Sequence, residues 1–129
     1  MPRKSRHGEN PEGEACPVEY TLERIGGKWK GILLYHLLDG TKRFSELRNM
    51  SPAITQRMLT LQLRELEEDG IVHREVYQQI PPRVEYSLTE YGLTLKPIIM
   101  AMKKWGEAHK QGHPAPRVSA KGNAAIDSP

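Results

Sequence analysis

The chain has 129 residues, of which 37% are hydrophobic and 27% charged, with a formal net charge of +3 and one cysteine. That length gives room for one domain. A single thiol excludes an internal disulfide framework and a multi-cysteine metal site, and no apolar run is long enough to predict a spanning helix.

Residues 1–14 and 112–129 are rich in Pro, Gly, Ser, Ala and charge, with no apolar period. Such segments cannot bury enough surface to offset their ordering entropy, so both are expected as disordered tails around a domain at 15–111. The opening MPRKSRHGEN lacks an apolar stretch, so no secretory signal is expected there. With a lone thiol, a reducing cytoplasmic setting is expected.

Pro17 suits the first turn of a helix, where a missing N–H costs nothing. Tyr20, Leu22 and Ile25 make that first helix partly apolar, and Gly26-Gly27 breaks it. A second helix is expected from about Lys28 to Leu38, with Trp29, Ile32, Leu33, Leu34 and Leu37 on a broad buried face. Asp39-Gly40 ends it. Thr41 to Asn49 reads as a short element in which Phe44 and Leu47 share a face. Ser51-Pro52 reads as cap and first position of a long helix, Ala53 to Asp69, closed by Gly70. Two apolar rows are expected on it: Ile54, Met58 and Leu61, then Leu59, Leu63 and Leu66. Gln56, Arg57, Thr60 and Arg64 fall within an arc of about 100° that faces away from the core.

The period then changes from helical to alternating. Ile71, Val72 and Val76 lie in one strand; Val84, Tyr86 and Leu88 alternate with polar residues in another. Gln78 to Pro82 make the turn, because Pro81-Pro82 cannot sit in a central strand. Thr89 reads as the cap of a last helix, Glu90 to about Lys110, in which Pro97 predicts a kink or break.

The resulting order is mainly α with a small β-hairpin, a winged helix-turn-helix. Its charge is unevenly spread. Residues 24–64 carry eight Lys or Arg against Asp39 and Glu46, and four acids follow within 65–69. A helix fits the DNA major groove, and Gln and Arg can read adenine and guanine bidentately. Thr55, Gln56, Arg57 and Thr60, with Arg64 on the same arc, are therefore the candidate base-reading residues. Lys28, Lys30, Lys42 and Arg43 suit phosphate contacts, which set affinity and register. Arg83 flanks the wing turn. The competing expectation is a winged-helix module that pairs with a protein and never touches DNA.

The strings CPVEYTLERIGGKWKGILLYHLLDGTKRFSELRNM, ITQRMLTLQLRELEEDGIVHREVY and PPRVEYSLTEYG, with a helix ending in Trp105-Gly106, resemble the HxlR-type winged helix-turn-helix regulators of bacteria. The resemblance covers about residues 15–108. It implies a homodimeric, sequence-specific DNA-binding transcriptional regulator acting on a near-palindromic operator, with the first and last helices forming much of the dimer interface. It also implies base reading at Thr55, Gln56, Arg57 and Thr60, a phosphate contact at Arg43 and a wing contact at Arg83. Leu61 is less expected than a polar residue on that helix.

Cys16 matches the family's N-terminal cysteine, which implies a candidate sensor of oxidants or electrophiles. A helix N-terminus favours a thiolate; the competing role is an inert dimer contact. An effector could also be a small molecule. The five histidines are scattered, without metal-ligand spacing, so no metal or cofactor is expected. His36 is expected as a hydrogen-bonded core residue. Trp29 and Trp105 are expected as core and interface fillers. No nucleophile-base-orienter trio and no Gly-rich phosphate loop occurs, so an enzyme is not expected.

Overall fold

The computed structural model describes residues 16–111. The expected tails at 1–14 and 112–129 lie outside the described residues. The elements are α1 (Pro17–Ile25), α2 (Lys30–Leu37), β1 (Lys42–Arg43), α3 (Phe44–Met50), α4 (Gln56–Glu68), β2 (Val72–Tyr77), β3 (Arg83–Leu88), α5 (Glu90–Leu93) and α6 (Lys96–His109).

Pro17 takes the first position of α1 as expected, and the Tyr20 N–H donates to the Cys16 carbonyl at 2.9 Å. The helix stops at Gly26, where a Cβ would lie 2.3 Å from the Leu22 carbonyl oxygen. Only glycine fits that approach. The following turn carries the chain through Trp29, so α2 begins at Lys30, two residues later than its apolar pattern suggests. Leu33, Leu34 and Leu37 are then fully buried.

The start of α4 differs from expectation in a physically informative way. Ser51 caps nothing: it is buried, its hydroxyl has no hydrogen-bond partner, and its carbonyl accepts from the Ile54 N–H at 3.0 Å. That bond closes a turn joining α3 to α4. The working cap is Thr55, whose Oγ1 accepts from the Met58 N–H at 3.0 Å. Leu59, Leu63 and Leu66, at 4- and 3-residue steps, form the buried stripe of α4.

β2 and β3 pair antiparallel from Val72 opposite Leu88 to Tyr77 opposite Arg83, the expected hairpin, with Ile71 just outside the strand it was expected in. A third strand joins it. β1 pairs with β3, Lys42 opposite Tyr86 and Arg43 opposite Glu85, giving the order β1-β3-β2. A two-residue strand has no period to read, so the sequence carries no signal for it. Thr89 then ties the hairpin to the helices around it. Its hydroxyl donates to the Gly70 carbonyl at 2.6 Å and accepts from the Gly92 N–H at 2.9 Å.

The last expected helix is in fact two. α5 ends at Leu93, a turn passes through Thr94 and Leu95, and α6 starts at Lys96 with Pro97 in its first turn. Proline is tolerated there and not in a helix interior. The chain divides into two units, one ending at Ile99 and one beginning at Met100, so the division falls inside α6. In the first unit the core gathers Ile25, the α2 leucines, Leu47, Ile54, the α4 leucines, Ile71, Val72, Tyr86 and Ile99. In the second, the Trp105 ring stacks on His109 at 4.4 Å, and the His109 Nδ1 is 2.9 Å from the Trp105 carbonyl.

Candidate nucleic-acid interface

With Leu59, Leu63 and Leu66 turned inward, the opposite side of α4 is left to solvent. Gln56, Arg57, Thr60 and Arg64 are all exposed. Together with Thr55, Met58 and Leu61 they line an open groove of about 700 Å³. Two of the candidate readers are partly committed to their own helix. Thr55 Oγ1 holds the Met58 N–H, and Thr60 Oγ1 donates to the Gln56 carbonyl at 2.9 Å. Gln56, Arg57 and Arg64 remain the long polar side chains of the face.

Leu61 does not join Ile54 and Met58 in a packed row, as its spacing suggested. It is 40% exposed, whereas Ile54 is 4% exposed. At 100° per residue it lies about 160° around the helix from Leu59, on the outward midline.

The basic residues divide. Lys28, Arg43 and Arg48 are exposed and Lys42 is half-buried. The Lys28 ammonium sits 4.8 Å from the centroid of the Trp29 ring. The Arg43 N–H donates to Glu46 Oε1 at 2.7 Å, which anchors the first turn of α3 and leaves the exposed guanidinium unneeded for capping. Lys30 is the exception and corrects the sequence expectation. It is 7% exposed, with Nζ 2.6 Å from Glu65 Oε1. A lysine held this way joins α2 to α4 and is not presented to a phosphate. Arg48, one of the eight cations within residues 24–64, is exposed on α3 and joins the candidates.

Arg83 flanks the turn, as expected, and its side chain is engaged within the hairpin. It opens β3 at the foot of the turn. Its guanidinium carbon is 4.3 Å from the Tyr77 ring centroid and its Nε is 3.3 Å from Glu85 Oε2. The tip itself, Gln78 to Pro82, has no cation, and Ile80 is 99% exposed there.

Cys16 is exposed at the entry to α1. His36 is half-buried with its ring 5.7 Å from that of Tyr35, so it borders the core and does not belong to it. Burial pulls its pKa below the ordinary value; the Asp39 carboxylate opposes this and Lys42 adds to it. Trp29 packs against the core, while Trp105 is 67% exposed. A cavity of about 150 Å³ lies among Tyr20, Thr21, Arg24, Ile71, Tyr91, Thr94, Leu95 and Ile98. Small-molecule sites usually span about 300–1,000 Å³. Among the described residues, no group of His, Cys, Asp and Glu could hold a metal ion, and no helix is long and apolar enough to cross a membrane.

A turn-linked helix pair, an outward polar helix face and a hairpin wing now stand together, and the HxlR-like helix-turn-helix profile matches residues 24–114. The chain belongs to that family. YybR, an uncharacterised HTH-type transcriptional regulator of Bacillus subtilis (strain 168), is 70% identical over 100 residues, covering 78% of this chain and 80% of that protein. The redox regulator HypR in its oxidised form matches with a TM-score of 0.71 at 72% identity, covering 73% of this chain and 97% of that one. Its reduced form matches with a TM-score of 0.72 at 70% identity, covering 74% and 95%. The HxlR-like chain described here is accordingly an HTH-type transcriptional regulator, a DNA-binding protein and not an enzyme.

Proposed function

We propose that residues 15–111 act as one DNA-binding and dimerisation domain, and that two copies bind a near-palindromic operator. Each α4 then enters one of two successive major grooves, about 34 Å apart. The observation that carries this reading is the division of α4: Leu59, Leu63 and Leu66 pin one side to the core, and Gln56, Arg57, Thr60 and Arg64 are exposed on the other. Gln56 and Arg57 read base edges near the start of the helix, with Thr55 and Thr60 beside them. Lys28, Lys42, Arg43 and Arg48 contact phosphates, and Arg64 adds charge along the groove. Arg83 steadies the wing and touches DNA only at its foot. The partner being chromosomal DNA, the protein works in the cytoplasm.

Exposed apolar side chains support the dimer. Val18, Tyr20 and Leu22 on α1, and Met100, Met102 and Trp105 on α6, are each at least 39% exposed in the single chain. Covering such side chains in a two-fold interface removes them from water.

Cys16 is the proposed switch. It is exposed, it is the one thiol in the sequence, and highly similar structures are those of a redox regulator in oxidised and reduced forms. Two Cys16 thiols from two chains can join as a disulfide, giving two protons and two electrons to a peroxide-class oxidant, which is reduced. Alternatively the thiolate adds to an electrophile. The small cavity beside Tyr91 is a weaker candidate for an effector site, because it admits little more than a single ring.

The test is selection of bound sites from a random duplex pool, with reductant and oxidant in parallel. An inverted-repeat site recovered by a dimer supports the reading. Selected sites without an inverted repeat, or sites bound by a single copy, would overturn the operator and dimer reading.

A further inference from the structure

We infer that Leu61 is a specificity-determining residue that reads the 5-methyl group of thymine in the major groove. The inference rests on the proposed docking of α4 and names what that face recognises. A single exposed leucine is ordinary on a protein surface. This one is not on an ordinary surface. It lies on the outward midline of α4, about 160° from Leu59, and shares a groove with Gln56, Arg57, Thr60 and Arg64.

Three observations give it this occupant. First, Leu61 is 40% exposed and is not among the residues packed against the core. It therefore contributes little to the fold in the isolated chain. Second, Arg57 and Arg64 stand about one helical turn before and after it on the same face of α4. Cations on both sides bring this stretch of α4 against an anionic ligand, so a polyanion is favoured over an apolar peptide. Third, the Thr60 hydroxyl is turned to the Gln56 carbonyl and the Thr55 hydroxyl to the Met58 N–H. The groove thus has fewer free hydrogen-bonding groups than its sequence suggests, and an apolar centre. Among major-groove edges, thymine alone offers an apolar methyl group to such a centre.

The test uses the full chain and its selected operator. Each thymine is replaced in turn by deoxyuridine, which deletes the 5-methyl group and leaves the pairing edges intact. Affinity is measured for the wild type and for Leu61→Ala. For the wild type, at least one thymine per half-site should show a loss of about three- to tenfold, the scale expected for one buried methyl contact. For Leu61→Ala that penalty should vanish, while an unchanged melting temperature shows that the variant folds. Equal penalties in both proteins would assign the methyl to another residue and overturn the inference. So would a wild type that binds its operator with no thymine sensitive. If the wild type binds no duplex at all, the docking reading itself fails, and this inference fails with it.

Discussion

At the scale of single residues, side chains of the same chemical type have different tasks. Arg57 is exposed on α4, whereas Arg43 ends β1, paired with Glu85 of β3, and precedes α3 as its N-cap. Arg57→Ala is expected to relax sequence preference, costing about 1–3 kcal/mol on the best site and less on mismatched ones. Arg43→Ala should weaken every duplex alike and reduce the slope of log affinity against log salt by about one. Titrations on matched and mismatched duplexes at several salt concentrations separate the two. Lys30 supplies the contrast. Lys30→Met keeps the buried stem but loses the charged bond to Glu65, so it should lower unfolding stability by about 1–3 kcal/mol and leave the salt slope unchanged. Its role was illegible in the sequence because the partner is 35 residues away. The basic character of 24–64 was legible; which of its cations was already spent was not. Leu61 was misread for a related reason. Its spacing from Met58 looks helical, but only the position of the core decides which apolar row turns inward.

At the scale of elements, the caps decide where helices begin. Thr55→Ala removes the cap of α4 and should cost about 1 kcal/mol, within the usual range of about 0.5–2. Ser51→Ala removes a buried hydroxyl without a partner and should be close to neutral or stabilising. Denaturant titration of both variants checks the order; a larger loss at Ser51 would contradict the observed start of α4. Ser51-Pro52 followed by a helical pattern satisfies the sequence rules for a helix start. It fails because the turn between α3 and α4 needs those residues for its own closure. Thr89 was read correctly as a cap, but its second bond, to Gly70, could not be foreseen. Gly92 belongs to the same junction: an added Cβ would lie 2.2 Å from the Ile71 carbonyl oxygen. Gly92→Ala should therefore lower the melting temperature, with a loss of about 1–3 kcal/mol from forced backbone displacement. The hairpin was legible because alternation and the paired prolines leave little choice. The short strand β1 was not, since pairing with β3 and not periodicity makes it a strand.

At the scale of the whole molecule, pH and oligomeric state are the accessible observables. His36 is held below its ordinary pKa chiefly by burial. The unfolded chain then binds more protons than the folded one as pH falls through the ordinary histidine range. Stability contributed above that range is lost as pH falls towards the lowered folded value. Urea midpoints at about pH 7.5 and about pH 5.5 should show a drop on acidification that His36→Gln reduces. A drop of equal size in the variant would assign it to other groups. Sedimentation at micromolar concentration should give a dimer, and Trp105→Glu should shift it towards monomer. The family and the helix-wing order were legible in motifs that lie close together in sequence. The division inside α6 was not, because it depends on which contacts the rest of the fold makes with the first turn of that helix.

The two sides of α4 answer to different demands. Leu59, Leu63 and Leu66 hold the helix in place, and none of them faces outward. Gln56, Arg57, Leu61 and Arg64 face outward, and none of them holds the helix in place. A library randomised at those four positions should therefore yield retargeted proteins with wild-type melting behaviour. The scaffold is a chassis, and its address label can be rewritten without touching the frame.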